Sequence, residues 1–202
     1  MRYTDLTEGA QAGLAEAWVV AGIFDSTEEV WVPRAMTRRQ AAEEGLASTF
    51  VSVIEPYAGR SKIAGIRCVE LTDEKGAKLP EPSVAVEVKL EDGRRDLLVS
   101  LGEEGPGGVR VRREEPPTAV QADWEAWLEA ELAFIRVDAA GAVRRIGMCG
   151  GKSARIGQAE VRLKQVADYV EIAFEDGRAA VVSGAEEAVE EIVVAGRRVW
   201  PR

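Results

Sequence analysis

From residue 84 the chain alternates. Val84, Val86, Val88 and Leu90 are apolar, with Ala85, Glu87 and Lys89 between them. A period of two is the signature of a β-strand. This one reads as a strand whose valine face lies on a core and whose Ala85/Glu87/Lys89 face meets water. Asp92-Gly93 follows and predicts a hairpin turn, because glycine accepts positive φ without steric cost. Leu97 to Ser100 then supplies the returning strand. The pattern recurs at Val170, Ile172 and Phe174, with Asp176-Gly177 turning the chain into Ala179 to Val182. The stretches VEVKLEDGR and VEIAFEDGR share much of their sequence. They are either an internal repeat or one hairpin problem solved twice, and the second reading is the simpler.

Further strands are expected at Leu14 to Val20, Val30 to Pro33, Thr49 to Glu55, Ile63 to Leu71, Leu132 to Asp138, Ala142 to Met148, Gln158 to Leu163, Glu191 to Val194 and Arg198 to Trp200. Short strands at this spacing predict an all-β, antiparallel β-sandwich. Val51 to Ile54 is apolar except for Ser52, which suits a strand between two packed layers. Two segments break the pattern. Thr37 to Leu46 is charged and alanine-rich, and reads as a short helix or a mobile loop. Gly102 to Gly108 is a glycine and acid loop, followed by Pro116-Pro117. Thr118 or Asp123 would then cap a short helix carrying Trp124, Trp127 and Leu128 at i, i+3, i+4 spacing. A soft boundary near residue 117 divides the chain into a first β subdomain, 1–117, and a second, 118–202, packed on it.

Composition narrows the function. A chain of 202 residues is long enough for a true core. Its net charge of -9 argues against nucleic acid as a partner, since phosphate binding needs a basic face. One local basic patch exists at Arg34, Arg38 and Arg39. No window approaches eighteen consecutive apolar residues, so no membrane helix is expected. Met1 to Ala10 lacks the basic and apolar regions of a signal peptide. The chain holds no histidine. That removes Ser-His-Asp and Cys-His chemistry, the usual catalytic zinc sites and the commonest general base near neutral pH. No catalytic residue, metal or cofactor is expected. Cys68 and Cys149 could pair in an oxidising compartment, but two cysteines do not make a disulfide framework, and the reading favoured is two buried, reduced core residues.

Trp31-Val32-Pro33-Arg34, followed by Phe50-Val51-Ser52-Val53-Ile54-Glu55-Pro56-Tyr57, resembles the C-terminal β-sandwich region of heparinase II/III-like polysaccharide lyases. There a W-x-P-R strand leads into an F-V-x-V-x-E-P-Y strand. The later AFIRVDAAGAVRRIGMCGG resembles the strand-turn-strand run near that family's C-terminus. The resemblance spans roughly residues 3 to 200. It implies a supersandwich-like fold behind an (α/α) toroid that supplies most of the catalytic groups. Nothing in this chain corresponds to the toroid, so the resemblance implies a truncated C-terminal piece, from a parent that is periplasmic or secreted. A uronate lyase needs a base near C5, an acid for the leaving oxygen and a group to neutralise the carboxylate. Some members place a sandwich histidine at the cleft; this chain has none. The role implied is a non-catalytic accessory domain that supports the toroid and lines a cleft for acidic polysaccharide. The alternatives are an independent carbohydrate-binding module and a structural interaction domain. An exposed apolar docking face would also allow a homodimer.

Trp31, Arg34, Arg38 and Arg39 combine an aromatic platform with guanidinium forks suited to uronate carboxylates. Tyr57 ends the second motif. These five are the candidate glycan contacts. The simpler reading is an edge tryptophan beside a solvated basic loop, and a tyrosine packing its ring at a strand end. Trp124 and Trp127 would make a second platform, or an apolar helical stripe on a sheet. Gly147 to Ser153 invites a phosphate-loop reading and fails it, with three residues where that motif needs four. Glu186, Glu187, Glu190 and Glu191 lack the alternation of a calcium loop and read as solvated.

Overall fold

The computed structural model describes residues 1–20, 29–42, 48–73, 75–101, 109–111 and 124–200. The chain forms two compact units, Met1–Pro56 and Tyr57–Arg202. In the first unit, β1 (Arg2–Asp5) awaits its partner while β2 (Gln11–Val20) and β3 (Glu29–Arg38) form an antiparallel ribbon ten residue pairs long. β4 (Ser52–Glu55) returns to pair with β1. Asp5 ties the pieces together. Its Oδ1 accepts the Thr7 hydroxyl at 2.7 Å and its Oδ2 accepts the Thr37 hydroxyl, from the end of β3, at 2.8 Å. Those bonds, with the Thr7 N–H, hold the Asp5 carboxyl below its ordinary pKa. The Thr7 hydroxyl also accepts the Val51 N–H at 3.0 Å.

The second unit runs β5 (Ile63–Val69), β6 (Leu71–Thr72), β7 (Val84–Leu90), β8 (Arg95–Ser100), β9 (Val109–Val111), β10 (Ala126–Glu129), β11 (Leu132–Val137), β12 (Val143–Ile156), β13 (Ala159–Glu175), β14 (Arg178–Gly184), β15 (Val189–Val194) and β16 (Arg197–Trp200). These twelve strands form one antiparallel sheet. Strands from both sides of residue 117, itself outside the described residues, share it: β8 pairs with β11 in register from Leu132↔Ser100 to Val137↔Arg95.

The sheet becomes two layers because β12 and β13 bend. The first half of β12 pairs with β11, the second half with β10. Opposite the bend, Gly151 pairs with Ala167 and Ser153 with Arg162, so four residues of β13 stand against Lys152 alone. One layer is β5-β7-β8-β11 with the near halves of β12 and β13, plus β14. The other is β6-β9-β10 with their far halves, plus β15 and β16. The inward residues of both layers make a single core: Leu97, Ile135, Ile146 and Ile172 from the first, Leu128, Ile156, Val161 and Ile192 from the second.

The all-β antiparallel class expected from the sequence is what the chain adopts; most strands named there are present, several of them longer, while Thr49 to Glu55 shortens to Ser52–Glu55 and Ile63 to Leu71 breaks at Glu70. The strand at Val51 to Ile54, expected between two packed layers, is instead β4 in a two-stranded sheet with β1, and its Ile54 is 62% exposed. Three other local readings change. The expected helix at Trp124, Trp127 and Leu128 is a strand where it is described. Trp124, Ala126, Leu128 and Ala130 are buried and the residues between them are not, which is a period of two. Two of the four inward positions are alanine, so the tryptophans alone suggested a helical stripe. Thr37 and Arg38 finish β3, while 43–47 lie outside the described residues.

The third change is the face of β7. Glu87 stands opposite Leu97, which is fully buried, so Ala85 and Glu87 point into the core, while Val86 and Val88 lie on the opposite face of the strand and are themselves buried there. The turns explain it. In the first hairpin Leu90 donates to the Arg94 carbonyl at 2.9 Å across a three-residue loop closed by Gly93, at φ +85°. In the second, Glu175 pairs with Arg178 across only Asp176 and Gly177, both at positive φ. A one-residue change of loop length reverses which side of the sheet a strand presents. Val86 and Val88 lie on the face away from that core, whereas their sequence counterparts Val170 and Ile172 face into it, from the same tetrapeptide EDGR.

The bend in β12 needs a residue with no side chain. A Cβ on Gly151 would stand 2.9 Å from the Met148 Cβ and 3.0 Å from the Ala130 Cβ. Neither atom can swing aside, so the backbones must part. Gly151→Ala is expected to lower stability by on the order of 1–3 kcal/mol, read as a fall in the urea midpoint with an unchanged m-value.

Candidate functional site

The ribbon of the first unit carries most of the residues singled out by sequence. Trp31 and Arg34 are three apart on β3, an odd spacing, so they point to opposite faces. Trp31 is 62% exposed and shares its face with Trp18, its cross-strand partner. Arg34 and Arg38 share the other face, roughly 13 Å apart along the strand. Both are exposed, and among the described residues neither forms an ion pair. Arg39 lies just past the strand, half-buried. Tyr57 belongs to the second unit, 40% exposed. The structure therefore gathers Arg34 with Arg38, and Trp31 with Trp18, rather than one aromatic-arginine cluster. Trp18 was legible in the sequence only through the register that puts it across from Trp31.

The outward face of the β5-β7-β8-β11 layer has a different character. Arg136 grips Asp96 with two hydrogen bonds of 2.7 Å and lies over the Phe134 ring at 5.4 Å. Asp96 accordingly raises the Arg136 pKa. Arg145 pairs with Glu171, which also accepts the Tyr169 hydroxyl at 2.8 Å. Those two donors lower the Glu171 pKa, and the carboxylate raises that of Tyr169. Leu98, across from Phe134, and Leu132, across from Ser100, are on the same face, about half exposed. In both clusters the charges are paired with one another. Cys68 and Cys149 are on this face too. Neither is in a disulfide, Cys68 is exposed and Cys149 half-buried, which corrects the expectation of two core thiols. Cys68 belongs to β5 and Cys149 to β12, four strand spacings away or roughly 19 Å, too far to bridge.

The outward face of the other layer carries Trp127. It stands across from Arg155, which in turn stands across from Glu160. A pit of about 340 Å³ lies between them, bounded also by Ser153 and Arg162. Trp124 points the other way, into the core. Gly147 to Ser153 lies wholly within β12, with no helix behind it. Of the four glutamates at 186–191, Glu191 is bound by Arg162 at 3.0 Å and Arg198 at 3.5 Å.

Two carboxylates are buried among the described residues: Glu55 at the end of β4, paired with Arg2 at 3.3 Å, and Glu87 in the second unit. Glu87 is 5% exposed and meets Arg67 Nε at 2.7 Å and an Arg95 guanidinium nitrogen at 3.2 Å. Arg95 is stacked on the Trp124 ring at 4.8 Å. The indole Nε1–H of Trp124 lies close enough to favour the charged carboxylate, though it falls short of hydrogen-bond geometry with any acceptor. Burial pushes the Glu87 pKa up. Trp124, Arg67 and Arg95 together outweigh it, and the net shift is downward. This arrangement offers charge neutralisation in a core and no opening to a reactant.

No family model, no curated protein and no solved structure matches this chain.

A carboxyl whose pKa is lower folded than unfolded contributes stability that is complete above the unfolded value and lost as pH falls through the folded one. Glu87 should follow that course, with its contribution whole above about pH 4.5. Glu87→Gln is expected to cost on the order of 1–3 kcal/mol at neutral pH. In urea melts across the acid range the gap to the parent should close below that pH. A gap that stays constant into acid would mean that shape, and not charge, is what Glu87 supplies.

Proposed function

We propose that this chain is a non-catalytic β-sandwich domain of the kind that heparinase II/III-like polysaccharide lyases carry behind their toroid. It supports a toroid catalytic domain and contacts acidic polysaccharide through the β2–β3 ribbon. The observation that carries the reading is Arg34 and Arg38: two exposed guanidinium groups on one face of the W-x-P-R strand, without carboxylate partners among the described residues. An exposed fork of this kind takes a uronate carboxylate or a sulfate bidentately. The Trp18–Trp31 pair on the opposite face offers a ring surface for a sugar. The motif strand β3 and the following β4 lie in one compact unit tied through Asp5, and the remainder is an antiparallel sandwich, as the resemblance implies.

The paired charges on the β5-β7-β8-β11 face favour a second role beside it, contact with protein. Apolar side chains beside closed ion pairs suit a partner surface, whether the toroid or a second copy of this chain.

Heparin, heparan sulfate, alginate and a neutral glucan, titrated into the purified chain at low and moderate salt, test the reading through tryptophan fluorescence. Binding is expected to one or more acidic glycans, to weaken with salt, and to fall about tenfold in Arg34→Ala and again in Arg38→Ala. Equal response to the neutral glucan, or none to any of the four, would remove acidic glycan from the role and leave the protein-contact face.

A further inference from the structure

We infer that the pit beside Trp127 binds a uronate residue of an acidic oligosaccharide, as a second contact apart from the ribbon. The inference takes the class of ligand from the role just proposed, and the site from the outward face of the β9-β10 layer.

Two rows of side chains cross that face. Trp127, Arg155 and Glu160 make one, on neighbouring strands β10, β12 and β13. Glu129, Ser153, Arg162 and Glu191 make the next. In the second row each polar group finds a partner. The Ser153 hydroxyl donates to Glu129 at 3.0 Å, and Arg162 reaches Glu191 at 3.0 Å. Arg162 also draws Glu160 to itself, with 3.0 Å between its Nε and the carboxylate. That contact takes from Arg155 the acid directly across from it. Among the described residues Arg155 forms no ion pair, although it is exposed and flanked by a glutamate on one side and Trp127 on the other.

The geometry therefore holds an unneutralised guanidinium beside a half-buried indole, with hydroxyl and carboxylate acceptors within the same pit. At about 340 Å³ it is at the small end of small-molecule sites. A sugar ring can lie against the indole while its carboxylate meets the Arg155 fork, and its hydroxyls can reach Glu160 and Ser153. A neutral sugar would leave the fork unused. A simple inorganic anion would leave the ring unused. The uronate uses both.

The intact ¹⁵N-labelled chain, titrated with alginate oligosaccharide and separately with a neutral glucan oligosaccharide, tests this by NMR. The indole N–H signals report the five tryptophans separately, and the Trp127 signal is expected to move only with the alginate probe. Arg155→Gln should weaken that response about tenfold, and Arg155→Lys, which keeps charge but loses the fork, by less. Trp127→Ala, which removes that reporter, should leave the Arg155 and Glu160 backbone amide signals unmoved by alginate; if that variant unfolds, Trp127→Phe, which keeps a ring, should retain measurable shifts at both. Alginate binding with the Trp127 signal unmoved, or unchanged affinity in Arg155→Gln, overturns the site. In that case loss of binding in Arg34→Ala would leave the ribbon contact standing. Binding lost in Arg155→Gln but intact in Arg34→Ala supports the pit and overturns the ribbon. Absence of any acidic-glycan binding overturns both.

Discussion

The second unit depends on a bend in one hairpin. β12 and β13 are fourteen and seventeen residues long, and each serves both layers. The closing of a flat antiparallel sheet into a sandwich comes from the four-to-one mismatch opposite Lys152 and from the bare backbone of Gly151. Every inward residue owes its neighbours to that geometry. Leu97 and Ile135 reach Leu128 and Ile156 only because the sheet folds back on itself. Bulges of this kind redirect strands and tighten twist. Here the redirection creates the core.

Within that core the chain buries a carboxylate. A lone ionised glutamate would be intolerable there. Glu87 is tolerated because Arg67 and Arg95 approach it and Trp124 caps Arg95 in turn. Replacing such a buried pair with apolar groups is often neutral or favourable, so its presence is not an argument from stability. It does specify which way β7 faces. A slip by one residue would put Glu87 on the opposite face and move Val86 and Val88 into the core, away from both arginines.

The strands were readable in the sequence because alternation is local. What escaped was the part set by distant pairing. β7 looked valine-in because its valines outnumber its inward polar group, yet the Gly93 loop decided the register. EDGR occurs twice and closes two different loops, so the tetrapeptide does not determine the turn. The segment at Trp124 looked helical since W-x-x-W-L fits a helix as well as a strand whose inward positions include two alanines. In the candidate site, the odd spacing of Trp31 and Arg34 already implied opposite faces once β3 was taken as a strand. The Trp127–Arg155 neighbourhood was hidden, since the two residues meet only through the pairing of β10 with β12.

The two cysteines acquire a use from their placement. They lie near different ends of one sheet face, with roughly four strand spacings between them. A body that covers the whole face must shield both thiols, and one that covers half must shield only one. The face thus carries its own ruler: the pattern of alkylation, both, one or neither, reports the footprint of whatever rests on it, with no label added to the chain.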